Sequence, residues 1–171
     1  FLGIHSVRVF APAIRDSQIA AGGEGRWKGI YTVVSLIGLI AMIWGFGEAR
    51  LTAPLLYEPP VWMKHINSLL MLIAFIVLAS GSFPSGKIRA AVKHPMVTAT
   101  KIWALGHLLA NGDLASVLLF GGFLAWAVLL RISYKRRGDF GTTIAGPVSN
   151  DLAPVVAGAV LYGLFVWKLH V

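Results

Sequence analysis

The chain alternates long uncharged runs with short polar segments, and the uncharged runs have the length of membrane helices. Lipid offers the backbone no hydrogen-bond partners, so a helix is the only open structure that pairs all of its polar groups. The strict alternation of a membrane β-strand is absent from the sequence. Six helices are predicted: Phe1 to Ile14, Gly29 to Gly47, His65 to Phe83, His94 to Asn111, Leu114 to Tyr134 and Asp151 to Lys168.

Composition also favours a protein that lies in a membrane. Hydrophobic residues make up 57% of the chain and charged residues 13%, about half the charged share of a soluble domain. Because each span needs about 20 residues, we expect one all-α transmembrane bundle of about six helices, a single domain over residues 1–171. The chain has no initiator Met, so the first helix is expected to begin upstream of Phe1. Cysteine is absent, which excludes disulfides and thiolate metal sites.

The basic residues predict the orientation of the helices. The net charge of +8 is assigned to cytoplasmic loops and not to a nucleic-acid surface, since Lys and Arg accumulate in such loops. If all six helices span, ten basic residues fall on one side and three on the other, so both termini lie away from the cytoplasm. The ten are Arg15, Arg26, Lys28, Lys87, Arg89, Lys93, Arg131, Lys135, Arg136 and Arg137; the three are Arg50, Lys64 and Lys168.

Short motifs predict helix ends and close packing. Gly112 is predicted to take the left-handed conformation that ends the fourth helix, and Asp113 to cap the fifth, so that the two form a tight antiparallel hairpin. Asp151 is predicted to cap the sixth helix in the same way. Small residues that permit close helix packing are predicted at Gly121-Gly122 and Gly158-Ala159.

Two histidines fall at similar depth on different predicted helices. His5 lies roughly 15 Å from the cytoplasmic end of its helix at Arg15, and His107 lies roughly 20 Å from the start of its helix at His94, given the rise of an α-helix. Against a hydrocarbon core about 30 Å thick, both imidazoles are expected near the middle. Such a pair can hold a planar haem from its two faces. The alternative is that each histidine bonds a neighbouring helix.

Four further residues on these two helices are candidates for contacts with the same cofactor. Arg8 shares a face with the first histidine and is the better candidate to pair with a haem propionate, whereas Lys101 points away from the second. The alternative for both cations is contact with the cytoplasmic headgroups. Trp103 is expected to stack on a porphyrin or simply to pack, and Asn111 to orient the imidazole or only to cap the helix. We expect three further histidines to lie at helix ends, outside this site: His65, His94 and His170.

Several motifs resemble the NnrU family of small bacterial membrane proteins over nearly the whole chain. They are Phe-Leu-Gly-Ile-His-Ser at residues 1–6, the 26–47 segment with Ser35-Leu36, Lys93-His94-Pro95, and His-Leu-Leu-Ala-Asn-Gly-Asp-Leu at residues 107–114. The family is related to 15-cis-zeta-carotene isomerase, and its name comes from an association with genes for nitrite and nitric oxide reduction. The resemblance implies a multi-pass protein of the bacterial inner membrane with haem b held by His5 and His107.

Three functions remain open at this point. The first is a haem b enzyme of redox or isomerase type acting on a lipophilic substrate, although Ala104 stands where the isomerase has a cysteine, its candidate exchangeable ligand. The second is a non-catalytic accessory or assembly protein linked to nitrite and nitric oxide respiration or to a larger membrane complex. Methyl transfer, the third, is disfavoured because no Glu follows Glu58 to serve cofactor and substrate.

Overall fold

The computed structural model describes residues 1–168, and within them it contains seven α-helices and no β-strand. The all-α architecture predicted from the sequence is confirmed. The helices are α1 (Leu2–Phe10), α2 (Pro12–Thr52), α3 (Val61–Ser80), α4 (Lys87–Val92), α5 (Pro95–Ala110), α6 (Leu114–Arg136) and α7 (Leu152–Lys168), with a 3-10 turn at Val148–Asp151 before α7.

Four of the described helical segments are long and apolar enough to cross a membrane. A fifth helix, α5, has 16 residues and a length of about 24 Å, somewhat less than the thickness of a hydrocarbon core. The chain is therefore a multi-pass membrane protein by length and composition, while the number of spans and their orientation stay predictions. The four segments are Pro12–Thr52, Val61–Ser80, Leu114–Arg136 and Val148–Lys168.

The first two helices differ from the prediction. Instead of running to Ile14, α1 ends at Phe10, because Ala11 leaves the helical conformation and Pro12, which has no N–H to donate, begins α2. The predicted cytoplasmic loop between residues 15 and 28 is helical as well. Only Gly23, with a φ of 76°, interrupts α2 there, and this is a conformation that glycine adopts without strain.

The remaining helices pack in a chain of neighbours. α3 packs against both α5 and α7, α5 packs against α6, and α1 contacts α2 and α6. The close approach predicted at Gly158 is confirmed, since a Cβ there would lie 2.5 Å from the Cα of Ile76 on α3. The same prediction is wrong for Gly121, because no atom lies within 4 Å of a Cβ added at that position. Exposed faces of the long helices are apolar, as contact with lipid requires.

The turn between α5 and α6 forms, but Gly112 serves it in a different way from the prediction. Its φ is not positive, so it is not a left-handed cap. An extended segment that follows α2 lies against the turn instead: the amides of Leu56 and Tyr57 donate to the Gly112 carbonyl, and the Leu114 amide donates to Pro54. A Cβ on Gly112 would overlap the Tyr57 carbonyl oxygen. Gly112 is therefore required for the close approach of a second backbone.

The two predicted acidic caps have different outcomes. Asp113 caps α6 as predicted, with its carboxylate 2.8 Å from the Ser116 amide and 2.7 Å from the Ser116 hydroxyl. The Asp151 carboxylate instead accepts from the amides of Lys87 and Ile88, at 2.9 and 3.1 Å, and so caps α4 from a distant part of the chain. The sequence could not show this, because a cap from outside the helix depends on how the 3-10 turn packs on α4.

Replacing Asp113 with Ala is expected to destabilise the fold by about 1 to 2 kcal/mol, the usual cost of losing a helix N-cap. The loss leaves the Ser116 amide without its acceptor and removes the partner of Arg50, whose Nε lies 4.0 Å from the carboxylate. Thermal unfolding of the detergent-solubilised protein measures the effect. Asp16→Ala, which removes only an exposed ion pair with Arg15, is the matched control and should shift the midpoint little.

The contribution of Asp113 to the stability of the fold is also expected to depend on pH. Burial by itself would raise the pKa of this carboxyl, but the hydrogen bonds with Ser116 and then the charge of Arg50 outweigh it, so the pKa lies below its usual value. A carboxyl with a lowered folded-state pKa stabilises fully above its unfolded pKa of about 4, and this stabilisation is lost as the pH falls below that value. The stability difference between the wild type and Asp113→Ala should therefore shrink under acid conditions. An equal difference at pH 3 and pH 7 would contradict this account.

Candidate functional site

His5 lies in a half-buried setting of aromatic rings between α1, α2 and α6. Its ring stacks on Phe1 with centroids 4.1 Å apart, lies 5.0 Å from the ring of Tyr31 and stands edge-on to Trp126 at 6.3 Å. The ring nitrogen Nδ1 lies 3.1 Å from the Phe1 carbonyl oxygen. This contact holds the imidazole along its own helix, and in the tautomer that donates from Nδ1 the acceptor nitrogen is Nε2.

His107 has the same backbone contact in the last turn of α5. Its Nδ1 lies 2.9 Å from the Trp103 carbonyl oxygen, so a donating Nδ1 again makes Nε2 the acceptor nitrogen. The ring stacks on Phe120 with centroids 4.6 Å apart and lies 5.3 Å from the ring of Trp103. Metal-binding histidines commonly anchor the other ring nitrogen to a backbone carbonyl in this way. Both imidazoles are thus held by the same kind of contact to their own helix.

The structure does not bring the two imidazoles face to face. Three aromatic rings lie between them: Phe1 contacts Phe123 at 5.9 Å, and Phe123 contacts Trp103 at 5.2 Å between ring centroids. They also meet α6 at different levels, His107 at Phe120 and His5 at Trp126, which are about 9 Å apart along the helix axis. The matched depth expected from the sequence is therefore only approximate.

Buried polar atoms without hydrogen-bond partners lie close to His5. The Trp126 indole Nε1, on the ring beside His5, is one of them. The Ser35 hydroxyl is another, and it shares a face of α2 with Tyr31 and with Gly38, against which Phe1 packs. Such groups are costly to bury unpaired and are typical of sites that bind an additional group or water. An indole N–H and a hydroxyl are hydrogen-bond donors that fit a cofactor with polar groups at its edge. Aromatic rings, however, occupy the space between the two histidines.

Two clefts adjoin His107. One, of about 430 Å³, is polar and includes Arg50, Lys64 and Asn67 among its lining residues. The other, of about 240 Å³, is largely apolar and passes Phe75 and Tyr162. Asn67 lines both clefts, and its buried Oδ1 has no hydrogen-bond partner. A small or elongated lipophilic molecule could reach the His107 side of the bundle through these clefts.

The two cations expected near a cofactor lie toward the helix ends that the basic residues assign to the cytoplasm. Arg8 is exposed and lines a cleft with Arg15, Arg136 and Arg137. Lys101 is half-buried in α5 and lies within electrostatic range of Arg131 on α6, a residue of like charge. Arg8 remains one helical turn from His5, whereas Lys101 is grouped with other cations and not with His107.

The other two candidates, Trp103 and Asn111, have structural roles. The Trp103 ring contacts His107, Phe120 and Phe123, so it packs in the aromatic cluster. The Asn111 amide donates to the His107 carbonyl oxygen at 2.9 Å and not to the imidazole, so its role is that of a cap.

The remaining histidines lie apart from these rings. His65 is exposed on α3, and His94 stacks on Tyr134 beside Asp139, at 4.4 Å between ring centroids. His170 lies outside the described residues.

Sequence reasoning missed Tyr57, which closes the site on the side of the α5–α6 turn. Its hydroxyl donates to the carbonyl oxygens of Leu108 and Asn111 at the end of α5. Burial, and then the nearby charge of Asp113, raise the pKa of the phenol, so it stays a neutral donor. Its interfacial aromatic character was visible in the sequence, but its partners lie more than fifty positions away and only the fold identifies them.

Comparison with known proteins gives one match. The family model described as NnrU protein matches residues 1–171, the whole chain. No curated protein matches, and no solved structure matches. A family match over the full length establishes membership, and this chain therefore belongs to the NnrU family.

Proposed function

We propose that this protein is an integral membrane haem b protein with His5 and His107 as the iron ligands. The observation that carries the proposal is the shared backbone anchor, in which the Nδ1 of each histidine contacts the carbonyl oxygen four residues earlier, at 3.1 and 2.9 Å. A donating Nδ1 leaves neutral imidazole with Nε2 as the coordinating nitrogen, which is a good ligand for haem iron. The resemblance to the isomerase implies the same two residues.

Binding both histidines to one iron requires a rearrangement of the aromatic cluster. The rings of Phe1, Phe123 and Trp103 have to move aside, because they now connect the two imidazoles. The movable part is α1, which has nine residues, packs mainly against α2 and α6 among the described helices and joins α2 through one non-helical residue, Ala11. Haem held by both His5 and His107 would require α1 to shift relative to α5, and Arg8 would be the residue that pairs with a propionate.

In such a protein the haem supplies redox chemistry, and the chain supplies position and access. The largely apolar cleft beside His107 would admit a lipophilic molecule from the bilayer, and Phe120 covers one face of the imidazole. The reaction class that follows is a redox or isomerase-like conversion of a lipophilic substrate. Ala104 is fully buried against Phe120 and Phe123, and its methyl group has no atom that could ligate iron.

An absorption spectrum of protein purified from haem-replete cells tests the proposal. Wild type should show a Soret band with the low-spin pattern of two imidazole ligands. Either His5→Ala or His107→Ala should remove the band or convert it to a high-spin form. Matched controls at the other histidines, His65→Ala, His94→Ala and His170→Ala, should leave the spectrum largely unchanged. Arg8→Ala should weaken haem retention without a change of spin state, since it acts at the porphyrin edge.

A second function is supported by the family rather than by the histidines. If wild-type protein from haem-replete cells carries no haem, the proposal is wrong, and a non-catalytic accessory role in nitrite and nitric oxide respiration becomes the better account. The long α2 favours such a role, because its apolar residues between positions 33 and 44 are largely exposed and available to a larger membrane complex as well as to lipid. Co-purification of a stable partner complex with haem-free protein would support it.

A further inference from the structure

A cleft of about 520 Å³ lies where the cytoplasmic end of α6 meets the junction of α1 and α2. Pro12 and the non-helical Ala11 open this junction, because they end α1 and begin α2 at a new angle. Arginines from all three helices or their ends line the cleft: Arg8 from α1, Arg15 from α2, Arg136 from the last turn of α6, and Arg137, which follows α6.

Positive charge in this cleft is poorly balanced. The one acidic residue that lines it, Asp16, already pairs with Arg15 at 3.1 Å. The Arg137 guanidinium is held by the backbone oxygen of Arg8 at 3.3 Å and lies 5.2 Å from the centre of the Tyr134 ring. Arg8 and Arg136 have no acidic partner among the described residues. Four guanidinium groups with one carboxylate leave the cleft strongly cationic, and cations held together in this way favour a bound anion.

Part of the lining of the same cleft is apolar, and this part forms an apolar wall. Val9, Phe10, Leu129 and Ile132 line it, and Phe10 is 69% exposed. An exposed phenylalanine beside arginines at the end of apolar helices is the arrangement expected at the boundary between headgroups and acyl chains. A free anion would use the arginines only, whereas a lipid would use both parts of the cleft.

We infer that this cleft binds the phosphate headgroup of an anionic phospholipid, with the upper acyl chain against the apolar wall. Arginine recognises phosphate oxygens through paired N–H donors. The Ser133 hydroxyl oxygen accepts from Arg137 at 2.5 Å, which leaves the hydroxyl proton to donate at the same edge. The site lies on the side to which the basic residues assign the cytoplasm, where basic residues contact anionic lipid. The inference does not depend on haem, since Arg15 and Arg136 have no part in the proposed haem site.

Lipid retention by the full chain in detergent tests the inference. Phosphatidylglycerol and phosphatidylcholine with identical acyl chains are titrated into delipidated protein, and native mass spectrometry counts the bound molecules. Wild type should retain phosphatidylglycerol in preference to phosphatidylcholine. Arg136→Gln and Arg15→Gln should each weaken phosphatidylglycerol binding about fivefold, the effect of one basic residue at an anionic surface. Arg26→Gln, which removes an exposed arginine of α2 outside the cleft, should leave binding unchanged.

Each alternative outcome overturns the inference in a recognisable way. If inorganic phosphate alone raises the thermal midpoint as much as phosphatidylglycerol does, and a variant that combines Arg15→Gln with Arg136→Gln loses that rise, the occupant is a free anion and not a lipid. Equal retention of the two lipids, or equal loss in Arg26→Gln and Arg136→Gln, means that charge acts without a defined site. Arg136 is exposed, so its substitution should not unfold the chain, and an unchanged size-exclusion profile confirms this.

Discussion

Gly112→Ala is expected to cost about 3 kcal/mol or to prevent folding, although it adds a single methyl group. The added Cβ would overlap the Tyr57 carbonyl oxygen, which is backbone and cannot rotate away as a flexible side chain would. Relief requires the segment after α2 to separate from the turn, which breaks the hydrogen bonds of Leu56 and Tyr57 to the Gly112 carbonyl. Overpacking against a fixed backbone carries such costs. Folded yield from detergent extracts and the thermal midpoint measure the effect.

The matched control is Gly121→Ala on α6. No atom lies within 4 Å of a Cβ at that position, and alanine has the better helix propensity. Its yield and midpoint should equal or exceed those of wild type. If both variants behaved alike, the contact between the extended segment and the turn would not exist in the folded protein.

Gly158→Val is expected to have the second large effect, through the packing of α7 on α3. A Cβ at this position would lie 2.5 Å from the Cα and 2.6 Å from the amide nitrogen of Ile76, so the two helices must separate. Separation of α7 from α3 leaves a gap along their interface. The lost packing should lower the thermal midpoint by on the order of 10 °C. Because α7 also forms one side of the smaller cleft beside His107, binding of lipophilic ligands there should weaken as well.

Gly163→Val provides the control for Gly158→Val on the same helix. Gly163 is exposed and no atom lies within 4 Å of a Cβ there, so the substitution tests valine in α7 without a helix contact. Its midpoint should stay close to that of wild type. A fall as large as that of Gly158→Val would attribute the effect to helix propensity and not to contact with Ile76.

The candidate site shows where prediction from sequence stops. Spacing within one helix was enough to place Arg8 near His5 and Trp103 near His107, since residues three or four apart share a face. Whether His5 and His107 face each other depends on how α1 lies against α6, and no spacing along the chain reports that angle. The structure places aromatic rings between them, and the pairing of the two histidines on one iron stays a prediction.

The basic residues give a second example. Their distribution along the sequence predicts a cytoplasmic side, because the cost of moving charge across lipid acts on each loop separately. The sequence did not group Arg8 with Arg136, which are far apart in the chain. The packing of α1 on α6 brings them to one cleft and so turns scattered loop charges into a candidate anion site.

By itself the sequence determined the helical architecture, the positions of α5, α6 and α7 within a few residues, and the cap at Asp113. These features follow from local causes: apolar runs long enough for lipid, glycine and proline that end helices, and a carboxylate three residues from an amide. Only the tertiary structure decided that Asp151 caps α4, that Gly112 admits the Tyr57 backbone and that Tyr57 bonds the end of α5. Those contacts join residues that are more than fifty positions apart in the chain. Helix packing brings these residues together, and no local sequence pattern encodes that packing.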